Sequence, residues 1–183
     1  TFPASPSEAL ATFRTLAHLL GCAGDPVVTD RLDRLSALLE ILLQRKQDRT
    51  ISCRFFAPVW KSPWMTANAD TYLSALLELG GVNCFAERQR RFPHAFHLGL
   101  SVEESLPDGH DTRYPRLNLD ELLEAGPDVI FLPSEPYPFG AQERAELLCE
   151  GALTSLPAVH FGRVHLVDGK LLTWHSPAWL EAA

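Results

Sequence analysis

The chain lacks the short signatures of the common hydrolytic and nucleotide-using enzymes. It has no glycine-rich phosphate loop of Walker or dinucleotide type, no serine elbow and no His-Glu-x-x-His helix, so neither chemistry has a visible anchor. No apolar run approaches the ~20 residues that cross a bilayer, and the N-terminus has neither the basic start nor the apolar stretch of a secretory signal. Positive charge is scarce: 16 Lys+Arg against 23 Asp+Glu give a formal charge of −7, which argues against nucleic acid as a partner. The four cysteines, Cys22, Cys53, Cys84 and Cys149, lie too far apart for a zinc knuckle or a redox dithiol. Their apolar neighbours favour buried free thiols over two disulfides. There is no internal repeat and no low-complexity tract.

What is present is an ordinary globular composition. With 183 residues, 46% of them hydrophobic, the chain can build one core and is short for two full domains. Leu10, Phe13, Leu16, Ala17 and Leu20, then Leu32, Leu35, Leu38, Leu39 and Leu42, recur at helical steps. The spacing predicts two helices, or one with a break, the first capped by Ser7 and the second re-capped by the break Gly21 to Asp30, which holds Gly24, Pro26 and Asp30. Ile51, Cys53, Phe55 and Phe56 predict a strand ended by Pro58, and Val59 to Ala69 a loop. Asp70 to Leu79 predicts a helix with Gly80-Gly81 as its C-cap. Residues 87–116 read as a long irregular excursion. Asn118 caps a helix over Leu119 to Glu124, and Asp128 to Leu132 predicts a strand whose Val129-Ile130-Phe131-Leu132 is apolar on both faces, as inside a parallel sheet. A helix over Ala141 to Cys149, strands over Ala158 to Phe161 and Arg163 to Val167, and a helix from about Pro177 complete the order. The fold class is α/β: a three-layer lobe with a mostly parallel central sheet flanked by helices, preceded by a long connector helix.

In such sheets ligands gather at the carboxyl ends of the strands. Three loops there are proline-stiffened and aromatic. Pro58 to Asn68 carries Trp60, Trp64 and Met65; Pro133 to Phe139 carries Glu135, Tyr137 and Phe139; Asp168 to Pro177 carries Trp174 and His175. That composition holds flat apolar rings toward a large ligand at little entropic cost, although each ring taken singly could equally plug a core edge. His175 is the best-placed imidazole; as a ligand to a corrinoid or haem metal it needs one nitrogen free. His94 and His97, with Glu103, Glu104, Asp108, His110 and Asp111, offer a metal-ligating set, yet such a scatter usually forms a solvated surface. His18 in a helical stripe and His160 and His165 in strands read as packing or surface positions.

Trp60 to Asn68, Asp70-Thr71-Tyr72, Gly80-Gly81-Val82-Asn83-Cys84-Phe85-Ala86 and Tyr114 to Leu123 running into Pro127-Asp128-Val129-Ile130-Phe131-Leu132-Pro133 carry a resemblance across nearly the whole chain. They resemble the C-terminal lobe of the periplasmic cobalamin- and iron-siderophore-binding proteins of ABC importers, the helical-backbone metal receptor family. Glu135-Pro136-Tyr137-Pro138-Phe139 and Val164 to Gly169 resemble its cobalamin-type branch.

The resemblance implies that residues 1–48 are a helical connector, with Thr1-Phe2-Pro3 the end of an N-terminal lobe, and that residues 49–183 are the C-terminal α/β lobe. It implies binding without turnover: no catalytic residues, no resident metal, no required cofactor, and a metal chelate held in an inter-lobe cleft for an ABC permease. Trp60, Trp64, Met65, Glu135, Tyr137, Phe139, Trp174 and His175 would face the ligand, while Asp120 and Glu121 would dock to the permease. The location implied is periplasmic or cell-surface anchored, with membrane contact only through the permease or an upstream lipid anchor. Without an N-terminal lobe, binding by this chain alone is expected to be weak. Cobalamin is preferred to ferric siderophore or haem because Lys61 and Lys170 are the only cations at the three loops. Two rivals from other classes are a flavodoxin-like enzyme with a metal-bearing lid over residues 87–116, and an interaction domain whose apolar rim is a contact surface.

Overall fold

The computed structural model describes residues 2–48, 53–88 and 111–175. Two helices open the chain, α1 (Pro6–Leu19) and α2 (Pro26–Asp48). The cap of α1 is Ser5, whose hydroxyl accepts from the Glu8 N–H at 3.2 Å. It displaces the predicted Ser7 because Pro6, which has no N–H to satisfy, fits the first turn. Within the expected break over Gly21 to Asp30, Asp25 starts α2: its Oδ1 accepts from the Val27 and Val28 N–H groups at 2.8 and 3.3 Å. Asp30 lies inside the helix, paired with Arg34 at 3.0 Å.

Four strands, β1 (Arg54–Phe56), β4 (Val82–Asn83), β5 (Val129–Pro133) and β6 (Val164–Val167), form a parallel sheet in the order β4-β1-β5-β6. Successive side chains go to opposite faces. Phe56, Ile130 and Leu132 enter one core with Leu122, Leu147, Leu156 and Val159. Those partners come from α4 (Leu119–Ala125), α5 (Ala141–Cys149) and α6 (Pro157–His160), with a 3₁₀ turn at Leu153–Ser155. Phe55, Val129 and Phe131 face a second core with Leu73 and Leu172, from α3 (Tyr72–Leu77) and α7 (Gly169–Thr173). This two-sided burial is why β5 has no polar residue. Outside α3, Leu10, Leu35 and Leu39 pack α1 and α2 on Leu79 and Leu76.

Several expected elements differ. Pro58 does not end the first strand but opens β2 (Pro58–Trp60), which pairs antiparallel with β3 (Met65–Thr66), a hairpin where a loop was expected. Gly80-Gly81 is no C-cap: α3 ends at Leu77 with Glu78 as its C-cap, and Gly81 serves close packing, since an added Cβ would lie 2.8 Å from Phe55 Cδ1 and 2.9 Å from the Cys53 carbonyl. It leads into β4, a strand too short to show a period. The expected strand over Ala158 to Phe161 is helical, because Pro157 presets the first turn and local bonds such as His160 N–H to Leu156 O, 2.9 Å, close it. His160 therefore ends a helix, whereas His165 is in β6 as expected. The third aromatic loop contains α7, capped by Asp168, whose Oδ1 accepts from the Lys170 N–H at 3.0 Å. Cys53 and Cys149 are exposed and Cys22 and Cys84 half-buried, so the expectation of buried thiols fails. The helix expected from Pro177, and His94, His97, Glu103, Glu104, Asp108 and His110, lie outside the described residues.

Candidate functional site

Because the sheet is parallel, its strands all end at one edge. Trp60 after β1, Glu135 and Pro136 after β5, and Trp174 and His175 beyond α7 meet there around a cavity of 640 Å³, within the 300–1,000 Å³ typical of ligand sites. The start of α3 supplies Asp70, Thr71 and Tyr72, and Arg113 and Tyr114 close another side. The Arg113 segment is zipped along β3 and the turn after it. Thr66 N–H donates to Pro115 O at 3.0 Å, Asn68 N–H to Arg113 O at 2.9 Å, and Leu117 N–H to Trp64 O at 2.9 Å. Buried Asn68 adds Nδ2 bonds to the Arg88 and Thr112 carbonyls at 3.1 and 3.3 Å. Thr71 caps α3 by accepting from the Ser74 N–H at 3.2 Å, which sets Tyr72 at the wall.

Two indoles face this space unusually exposed, Trp60 at 44% and Trp174 at 59%. Each is braced from behind. Trp60 meets Tyr137 edge-on at 5.3 Å between centroids, and Trp174 Nε1–H donates to Glu135 Oε2 at 2.7 Å. Glu135 is in turn pressed on Gly169, where a Cβ would lie 2.4 Å from the Glu135 nitrogen. Gly169 N–H also donates to Ser134 Oγ at 3.0 Å, so the loop after β5 and the start of α7 form one unit. The His175 ring sits edge-on to Tyr72 at 4.6 Å and stacks on Phe2 at 5.9 Å.

Of the eight residues expected at the ligand, Trp60, Met65, Glu135, Trp174 and His175 line the cavity. Trp64 and Phe139 instead stack on each other, 6.1 Å apart and 3° from parallel, in the core under α4 and α5, where Phe139 is 4% exposed. Tyr137 lies between the groups, 4.6 Å from Phe139 and behind Trp60. Tyr72, Asp70, Arg113 and Tyr114 line the wall without having been expected there. An aromatic directly after a Thr cap was a usable signal for Tyr72; the pairing that delivers Arg113 is non-local and left none. At α4, Glu121 accepts from the Asn118 N–H at 3.0 Å and pairs with Arg88, so its carboxylate is engaged. Asp120 beside it is exposed.

Neither loop lysine lines the cavity. Lys61 pairs with Glu146: that hydrogen bond raises the ammonium pKa against the opposing effect of burial, and holds the Glu146 carboxyl below its ordinary value with help from Gln142. Arg113 is gripped by Asp111 through Nε at 2.9 Å and Nη2 at 3.0 Å, which raises its pKa further. Among the described residues no three His, Cys, Asp or Glu side chains gather to hold a metal ion. No described helix is long and apolar enough to cross a membrane. The wall can therefore grip a flat apolar body and offer hydrogen-bond acceptors to its edge.

No family model matches the chain, and no curated protein matches it. Solved structures do. The heme-binding periplasmic protein RhuT of Roseiflexus sp. RS-1 superposes with a TM-score of 0.68 at 17% identity, over 98% of this chain and 60% of its own. A possible iron-binding periplasmic solute-binding protein of Staphylococcus epidermidis gives 0.67 at 15%, over 98% and 60%. The vitamin B12 binding protein BtuF of Vibrio cholerae gives 0.63 at 21%, over 99% and 59%. The chain thus spans about three-fifths of the length of the structures it matches. It shares the fold of these periplasmic solute-binding proteins over that part of their length.

Proposed function

We propose that the chain is the ligand-gripping C-terminal lobe of the substrate-binding component of an ABC importer. Its cavity holds one face of a metal chelate, a corrinoid such as cobalamin in preference to a ferric siderophore or haem, and releases it unchanged to a permease. The observation that carries this reading is the pair of braced, half-exposed indoles, Trp60 and Trp174, on one 640 Å³ cavity at the carboxyl edge of the sheet. Exposed rings held by their neighbours lose little entropy when a flat ligand lands on them. Of the similar solved proteins named above, one is a heme-binding and another a vitamin B12 binding protein, which supports the chelate class. Such a protein works in the periplasm or on the cell surface. Asp120, exposed in the first turn of α4, is the group offered to the permease; Glu121 beside it is held by its cap and by Arg88.

A titration with cyanocobalamin followed by tryptophan fluorescence tests the reading. Saturable quenching that weakens in both Trp60→Ala and Trp174→Ala is the expected result. Quenching by none of cyanocobalamin, haem and a ferric siderophore would end it.

A further inference from the structure

The cavity wall is apolar in area but acidic in charge. Asp70 and Glu135 both reach it, and the wall's one cation among the described residues, Arg113, is already held by both oxygens of Asp111. Asp70 uses its backbone N–H in a bond to Asn68 Oδ1, 3.1 Å, and its side-chain oxygens accept no hydrogen bond from the described residues. Glu135 spends Oε2 on Trp174, at 2.7 Å, and leaves Oε1 without a donor among the described residues. Carboxylate oxygens accept hydrogen bonds and donate none. A ligand rimmed with N–H groups meets them well; one rimmed with carboxylates or catecholates meets like charge, with the one guanidinium already neutralised.

We infer that this cavity selects by charge, taking a neutral or cationic, N–H-bearing ligand and rejecting a polyanionic one of the same shape. The inference rests on the chelate-binding function proposed above and adds its specificity rule, with Asp70 and Glu135 as the specificity-determining residues. At separations of a few ångströms beyond contact and an intermediate effective dielectric, each carboxylate facing an anion lowers affinity by about tenfold.

The test compares two chelates with the same ring and the same cobalt: dicyanocobinamide, whose periphery is amides, and dicyanocobyrinic acid, whose periphery is seven carboxylates. Their dissociation constants, and that of haem, are measured on the wild-type protein and on D70N/E135Q. The amide introduced by E135Q keeps an oxygen for the Trp174 N–H, so the variant removes charge without freeing the indole, and matched thermal melts confirm that both proteins fold. The expected result is an amide corrin bound at least about tenfold more tightly than its carboxylate analogue, with the ratio falling toward unity in the variant. Equal affinities for the two corrins, or a ratio unchanged in D70N/E135Q, would overturn charge selection while leaving chelate binding intact. Binding of none of the three, dicyanocobinamide, dicyanocobyrinic acid or haem, would overturn both.

Discussion

Gly169 is where the geometry makes its sharpest demand on a single residue. A methyl group there would sit 2.4 Å from the Glu135 nitrogen, 2.8 Å from its Cβ and 2.9 Å from its Cα, where ordinary contacts begin near 3.4 Å. Backbone atoms cannot swing aside as the end of a long side chain can. Gly169→Ala must therefore separate the start of α7 from the Glu135 loop by about 1 Å, the shortfall from 2.4 to 3.4 Å. Overpacking of this kind costs about 1–3 kcal/mol. At roughly 2–4 °C per kcal/mol for a chain of this length, the midpoint of thermal unfolding falls by about 2–12 °C. The same shift loosens the Glu135–Trp174 hydrogen bond, so Trp174 emission should change and chelate binding weaken. Gly151→Ala is the paired control: nothing lies within 4 Å of its added Cβ and its φ is not left-handed, so its midpoint should move by less than about 2 °C. A Gly169→Ala protein that melts with the wild type would refute the close approach and the unit built on it.

Phe139→Ala should cost about 3–5 kcal/mol in urea denaturation, because it empties a site stacked on Trp64 in the core, yet leave the affinity of the folded protein nearly unchanged. Trp174→Ala should do the reverse, lowering affinity with little loss of stability, since that ring is 59% exposed. Asn83→Ala should destabilise by about 2 kcal/mol or more, because buried Asn83 donates to Ala67 O and Ser74 Oγ at 2.8 Å each and accepts from the Phe85 N–H at 2.9 Å. Burial pushes the Cys84 thiol up to about 11, so iodoacetamide at pH 8 should label exposed Cys149 well before Cys84. The folded state then holds that proton more tightly than the unfolded one, so the stability from a neutral Cys84 is complete below pH 9.0 and is lost as pH rises toward 11.

Elements with a strong period or a specific cap were legible in the sequence. Asn118 is the expected cap, completed by a capping box with Glu121, and the unbroken apolar run of β5 does lie between parallel neighbours. The misses came where local signals compete. Pro58 reads as a stop but can open an edge strand, and Val159-His160-Phe161 has strand composition although Pro157 and the preceding turn make it helical. Two-residue β4 is defined only by its ladder to β1. At the site, aromatic loops at strand ends led to Trp60, Met65, Trp174 and His175, but composition does not tell a ring on the wall from one beneath it. Trp64 and Phe139 turn inward because each completes the other's packing. Arg113 arrives through an extended pairing with Asn68 across 45 residues of sequence, which no local pattern announces.

The central claim is that the cavity at the carboxyl edge of the sheet is where a metal chelate sits. Hydrogen exchange of the backbone amides, measured with and without cyanocobalamin, tests it most directly. Slowed exchange confined to residues 59–60, 70–73, 134–136 and 173–175, with the amides of Leu153–Ser155 and Pro157–His160 unchanged, is the expected result. Unaltered exchange at those four segments, or protection centred on α1 and α2 or on the α5–α6 face, would contradict it.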